Sequence, residues 1–187
     1  MIKWMPVALA LVLTACSSTS ETRYYQLPNL TAAGTAVSSQ AQMRPLWVEH
    51  VAVPDSLAGN GVVYQTSDVQ YVIASSNLWA SPLDQQLQQT LVSNLSAALP
   101  GALVTTTQPA ADHDTLNVTV TGFQGRYDGH VVVSGAWVLE HDGQLRRQSF
   151  AITLPQPEDG YDAMVRTLAQ GWLQASRQMA NAIAAKP

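Results

Sequence analysis

The chain holds a single cysteine, Cys16, in 187 residues. No disulfide can close within it, so stability has to come from a hydrophobic core. Charge is equally scarce: Asp, Glu, Lys and Arg make up 12% of the chain, 9 basic residues against 13 acidic ones. That balance lacks the basic footprint needed to hold nucleic acid or to grip an anionic lipid surface. Ser, Thr, Gln and Asn do most of the solubilising, which leaves a weakly polar, association-prone surface. Long apolar runs are missing too, since none approaches the ~20 residues of a membrane-spanning helix.

Reactive constellations are also absent. The four histidines, His50, His113, His130 and His141, form no His-x-His or His-x3-His pair, so the spacing of a strand or helix metal site is lacking. Asp112-His113-Asp114 and His141-Asp142-Gly143 read as solvated turns. There is no Gly-x-Ser-x-Gly elbow, and Gly59-Asn60-Gly61 lacks the lysine and the following helix of a phosphate loop. The expectation is a protein that is not an enzyme and carries no metal and no bound cofactor.

What is present begins at the N-terminus. Lys3 is a short positive region, Met5 to Leu13 is apolar, and Leu13-Thr14-Ala15-Cys16 resembles a lipobox. This is the anatomy of an export signal, and it is too short to cross a bilayer. Residues 1–15 are expected to be a cleaved signal peptide. Cleavage removes Lys3 and leaves about 170 residues, enough for one domain with a real core. The lipobox resemblance implies a diacylglyceryl thioether on Cys16 and a third acyl chain, such as palmitate, on its new amino group. A buried methylene contributes about 0.8 kcal/mol and one acyl chain anchors only marginally, so three chains hold firmly. Ser17 after the cysteine favours sorting to the outer membrane, by analogy with known lipoproteins. Residues 16–22 form the lipidated N-terminus and a polar tether, Ser17 to Thr22, that reaches only about 20 Å. Residues 23–187 form a single periplasmic domain.

Within that domain, Tyr24 to Leu27 reads as a strand closed by Pro28, and 29–43 as a loop. Leu46 to Val53 is a β-rich run ended by Pro54. Ala58 to Gly61 is a flexible turn. Val62 to Thr66 and Val69 to Ile73 form a hairpin about Ser67-Asp68. Ser81-Pro82-Leu83-Asp84 starts a helix, with Ser81 capping and Pro82 in the first position. Leu83, Leu87, Leu91, Leu95 and Leu99 give it an apolar face, and Pro100-Gly101 stops it. A short strand at Leu103 to Thr106 precedes a meander of three strands. Its turns are Asp128-Gly129 and Asp142-Gly143. A last helix runs from about Gly160 to Ala185, its stripe carrying Met164, Val165, Leu168, Trp172, Met179 and Ile183. Gly171 in that helix costs about 1 kcal/mol unless it permits close packing on a sheet. The fold class expected is α+β: a mainly antiparallel sheet with two amphipathic helices packed on one face.

The tryptophans allow two readings, a lipid groove or core packing. Periodicity favours core for Trp47, Trp137 and Trp172, whereas Trp79 stands just before the helix and reads as a staple at its start.

Longer stretches carry a resemblance. Tyr24-Tyr25-Gln26-Leu27-Pro28, Leu57 to Asp68, Asn77-Leu78-Trp79-Ala80-Ser81-Pro82-Leu83, Asp114 to Val120 and Gly125-Arg126-Tyr127-Asp128-Gly129 together resemble the ABC-type transport auxiliary lipoprotein family. The resemblance implies a component of intermembrane lipid transport at the outer membrane. There it would dock an MCE-domain tunnel protein that an inner-membrane partner meets at its other end, as a homo-oligomeric ring. The family's loop after Leu57 carries a charged Asp-Arg-Pro-like turn. Here that loop is Ala58-Gly59-Asn60-Gly61, so a contact made by that charge is not carried over. Leu57, Ala58, Gly59, Asn60 and Gly61 are the residues expected to touch the partner, with the tips at Asp128 and Asp142 beside them. Two other readings stand next to this one: a periplasmic lipid carrier with its own apolar pocket, and a lipoprotein regulator of a cell-wall enzyme.

Overall fold

The computed structural model describes residues 21–30 and 43–185. The signal peptide, Cys16 and most of the tether lie outside the described residues, as does most of the 29–43 loop.

The strands are β1 (Arg23–Tyr25), β2 (Leu46–Ala52), β3 (Gly61–Gln65), β4 (Tyr71–Trp79), β5 (Val104–Thr105), β6 (Asp114–Arg126), β7 (His130–His141) and β8 (Gln144–Pro155). The helices are α1 (Asp55–Ala58), α2 (Leu83–Ala98) and α3 (Tyr161–Ala184). All eight strands join one sheet built around β6. On one side, β6 pairs antiparallel with β7, and β7 with β8. On the other side two strands share its edge. β2 pairs parallel with its first half, from Leu46 opposite Asp114 to Ala52 opposite Thr119. β3 pairs parallel with its end, Gln65 opposite Arg126. A register shift between Val120 and Gly122 falls between the two partners. The extra residue of a bulge bends a strand, which suits a change of neighbour at that point. β5 extends the sheet beyond β2, and β4 and then β1 extend it beyond β3.

The sheet is therefore mixed. Four pairings, β1–β4, β2–β5, β2–β6 and β3–β6, are parallel, and only β3–β4, β6–β7 and β7–β8 are antiparallel. This corrects the mainly antiparallel expectation. The α+β class stands, with α2 and α3 against one another and on the sheet. Turn chemistry reveals pairs joined by a hairpin. Parallel pairs need long crossovers and leave no local signature.

The helices follow their leucine and aromatic stripes. Leu87, Leu91 and Leu95 of α2 and Leu168, Trp172 and Met179 of α3 are fully buried. Asn94 and Ser176 hydrogen-bond across the helix pair at 3.2 Å, and the Trp172 indole N–H donates to the Leu87 carbonyl at 3.2 Å. A Cβ on Gly171 would lie 2.7 Å from Val133 Cγ2, so the missing side chain lets α3 settle on β7. No side-chain cap forms at the start of α2, contrary to the Ser81 expectation. Gln86, also buried, bridges the start of the helix to β1 instead of capping it. Its amide donates to the Ser81 carbonyl at 2.8 Å, and its oxygen accepts the Leu27 N–H at 2.8 Å. One side chain thus ties the exit of β1 to the first turn of α2.

β1 is shorter than expected, and β4 is longer, running on to Trp79. Trp79 is 4% exposed and packs in the core, its ring 6.2 Å from Phe123. Trp137 and Trp172 are in the core as the periodicity indicated. Trp47 is not: it is half-buried at the margin, donating to the Thr106 carbonyl at 3.2 Å. Only the two-residue β5 covers β2 on that side, and alternation fixes a residue's face but not its distance from the sheet's edge.

Candidate functional site

The long strand β6 gives the molecule two ends. Asp114, the starts of β2 and β5 and the β7–β8 turn mark one. Arg126, the β6–β7 turn, the β3–β4 turn and the start of α3 mark the other.

The 57–61 segment sits midway, where β6 changes partner. Leu57 is 3% exposed and belongs to the core, and Gly61 is buried at the start of β3. A Cβ on Gly61 would clash with the Ala74 carbonyl and with Ile73. Neither residue can present a surface, which corrects their place among the contact residues. Ala58, Gly59 and Asn60 are exposed and form a three-residue knuckle. It is pinned at its base by the Trp79 N–H, which donates to the Asn60 carbonyl at 2.6 Å.

The Asp114 end holds one connected cluster of titratable groups. The β6–β7 register sets Asp114 beside His141, whose Nδ1 lies 2.7 Å from Oδ1. His141 Nε2 lies 3.5 Å from Asp142 Oδ2, and Asp142 is in turn paired with Arg44. That pairing raises the Arg44 pKa, first by hydrogen bonding and then by charge. Asp114 is 9% exposed and its N–H donates to the Pro45 carbonyl at 2.9 Å, so it does not sit in the solvated turn expected for 112–114. A carboxylate on each ring nitrogen leaves His141 no hydroxyl to activate. The arrangement braces two strand ends and does not form a triad. Beside it opens a polar cleft of about 660 Å³, lined among others by Arg44, Trp47, Glu49, Asp112, His113 and Glu140. Trp47 meets the His113 ring edge-on at 5.7 Å. Among the described residues no group of three His, Cys, Asp or Glu is placed to hold a metal ion. The Asp142-Gly143 tip turns with positive φ at both residues, 51° and 73°, as an Asp-Gly hairpin should.

At the Arg126 end, Arg126 Nε and Nη2 reach the two oxygens of Asp128 at 2.9 and 2.5 Å. The hydrogen bond from Arg126, more than its charge, lowers the Asp128 pKa to about 2. Tyr25 Oη donates to Asp162 Oδ1 at 2.9 Å. Burial and then Asp162 raise its pKa. This bond fastens β1 to the first turn of α3.

The sequence reading missed Arg44 and Gln86. Arg44 follows a stretch without periodicity, and Gln86 falls on the apolar face of a leucine helix, where a buried polar residue was the available signal.

No helix among the described residues is long and apolar enough to cross a membrane. Residues 25–180 match the family model described as ABC-type transport auxiliary lipoprotein component. Over the full length of both chains the sequence is 54% identical to the intermembrane transport lipoprotein PqiC of Escherichia coli (strain K12), and equally to that of Shigella flexneri. A crystal structure of an uncharacterized protein, 60% identical, superposes with a TM-score of 0.78 over 87% of this chain and 99% of that one. A Xanthomonas campestris protein, 14% identical, shares the fold with a TM-score of 0.72 over 87% of this chain and 94% of its own.

Proposed function

The chain belongs to the ABC-type transport auxiliary lipoprotein family, and from that premise we propose that it is the outer-membrane lipoprotein of an intermembrane lipid transport system. It is a docking module and not an enzyme. Acyl chains on Cys16 hold it to the outer membrane with its domain in the periplasm. Its folded surface receives a PqiB-like MCE-domain tunnel protein, whose other end meets a PqiA-like inner-membrane protein. The observation that carries this reading is the full-length identity of 54% to proteins named intermembrane transport lipoprotein. Leu13-Thr14-Ala15-Cys16 supports the anchor. The exposed Ala58–Asn60 knuckle and the Asp142 tip are the surfaces offered to the partner.

The packing favours docking over carriage. Leu87, Leu91, Leu168 and Trp172 fill the space between helices and sheet, and the crevice beside Leu27, Thr90 and Trp172 is too narrow to admit a water molecule. A carrier needs a cavity for an acyl chain in that place.

Fractionation of cells carrying wild type or Cys16→Ala tests the anchor. The wild-type protein is expected in the outer-membrane fraction and the variant in the soluble periplasm. A variant that still sediments with the outer membrane, in cells lacking the MCE protein, refutes it.

A further inference from the structure

Eight large hydrophobic side chains are exposed among the described residues, and they are not evenly spread. Val69, Tyr71, Val72, Ile73 and Tyr127 all lie at the Arg126 end, four of them in the β3–β4 hairpin. Val69 at the turn is 78% exposed, and Tyr71 and Ile73 are 52% and 54% exposed. The turn satisfies its own backbone: the Thr66 N–H donates to the Gln70 carbonyl at 2.9 Å, and the Val69 N–H to Ser67 Oγ at 3.4 Å. The hairpin therefore holds its shape with its apolar side chains in water. Its one charged residue from Thr66 to Ile73 is Asp68.

Strand directions give this tip an occupant. β3 runs parallel to β6 towards the Arg126 end, β4 returns antiparallel to it, and β1 is parallel to β4. The chain upstream of Arg23 therefore arrives from the Arg126 end. Arg23 pairs with Asn77. Tyr71 lies six residues further back along β4, at most about 20 Å at the strand rise. The seven steps from Cys16 to Arg23 reach about 25 Å at full stretch, level with Val69, two residues beyond Tyr71. With the tether fully extended, a bilayer gripped through Cys16 stands level with the hairpin tip. At any shorter reach it stands closer to the domain than the tip does.

We propose that the tip of the β3–β4 hairpin, Val69 with Tyr71, Val72 and Ile73, inserts into the interfacial layer of the same bilayer that holds the acyl chains of Cys16. This rests on the reading of Cys16 as the lipid-bearing residue. Tyrosine suits the boundary because its ring is apolar and its hydroxyl stays wet. Two attachment points orient the domain, with the Arg126 end on the membrane and the Asp114 end, with its cleft and Asp142 tip, facing away. The β3–β4 hairpin supplies the apolar contact, while Arg126, Asp128 and Asp162 at the same end stay in the aqueous headgroup layer.

The test uses the full-length lipidated protein in vesicles of phosphatidylethanolamine and phosphatidylglycerol. Because the thioether occupies Cys16, Val69→Cys supplies a free thiol for an environment-sensitive fluorophore. Leu145→Cys, at the other end of the sheet and 72% exposed, is the control. If Val69→Cys fails to fold, Gln70→Cys gives the same readout. Quenchers placed on the lipid just below the headgroups are expected to dim the hairpin label at least about threefold more than the control. Vesicles that float with the protein while both labels stay equally bright overturn the insertion and leave the anchor intact. Protein that does not float overturns the anchor, and the insertion with it. A hairpin label bright in vesicles but shielded as the protein self-associates assigns the tip to a second copy and also overturns the proposal.

Discussion

Arg126 and Asp128, two residues apart at the β6–β7 turn, show how a local pair leaves a measurable trace. Asp128 titrates at about 2 in the folded chain, against about 3.9 for a free aspartate. A carboxylate depressed by folding adds stability that is complete above the unfolded value. That stability is lost as pH falls through the folded one. The window is thus from about pH 4 down to about pH 2, and salt weakens the effect because the pair is exposed. Carbon-13 NMR of the Asp128 carboxyl should give a midpoint near 2, and Arg126→Gln should return it to the ordinary carboxylate range. Two glycines make a sharper contrast. Gly59→Ala meets nothing within 4 Å and should leave the melting temperature unchanged, whereas Gly61→Ala drives a methyl against the Ala74 backbone. Overpacking of that kind costs about 1–3 kcal/mol, and a denaturant titration of the two variants checks the difference. The run Ala58-Gly59-Asn60-Gly61 marks a turn but does not tell its two glycines apart. One is free and the other is wedged against β4, because the contact comes from a strand more than ten residues away.

The helices and the meander were legible as elements because their signals are local. Leucines four apart, Pro82 before the first turn, and Asp-Gly between alternating strands all act over a few residues. The parallel pairings were not legible. β2 meets β6 across more than sixty residues, and nothing in Leu46–Ala52 names its neighbour. The same limit explains the exchanged roles of Trp47 and Trp79. Periodicity assigned Trp47 to the core and position before the helix made Trp79 a staple, but the sheet order put Trp47 at the margin and β4 carried Trp79 into the core. At this scale the helix pair offers a direct test. Trp172→Ala should destabilise the domain by about 3–5 kcal/mol, through the cavity left in the core, where Trp172 is 1% exposed. Asn94→Ala should cost less, about 1 kcal/mol, because it removes one hydrogen bond and leaves the Ser176 hydroxyl bonded to the Trp172 carbonyl at 2.8 Å. Chemical denaturation of both variants ranks the two.

As a whole molecule, the domain is a sheet with charged side chains at both ends and most of its exposed large apolar side chains, among the described residues, at the Arg126 end. A site of catalysis was not legible in the sequence, and the part-buried contact of Asp114 with His141 braces β6 against β7. Of the contact residues read from the sequence, Ala58, Gly59 and Asn60 are on the surface, while Leu57 and Gly61 support them from within. Their burial was hidden because a single leucine beside a flexible loop has no periodicity to place it. Docking is the central claim, and in vivo photo-crosslinking tests it most directly. A photo-reactive residue at Asn60 or at Gln144, beside the Asp142 tip, should capture the MCE-domain protein, and one at Gln70 on the β3–β4 turn should not. Capture of a cell-wall synthase from Asn60 and Gln144, with no MCE-domain protein, would contradict the account.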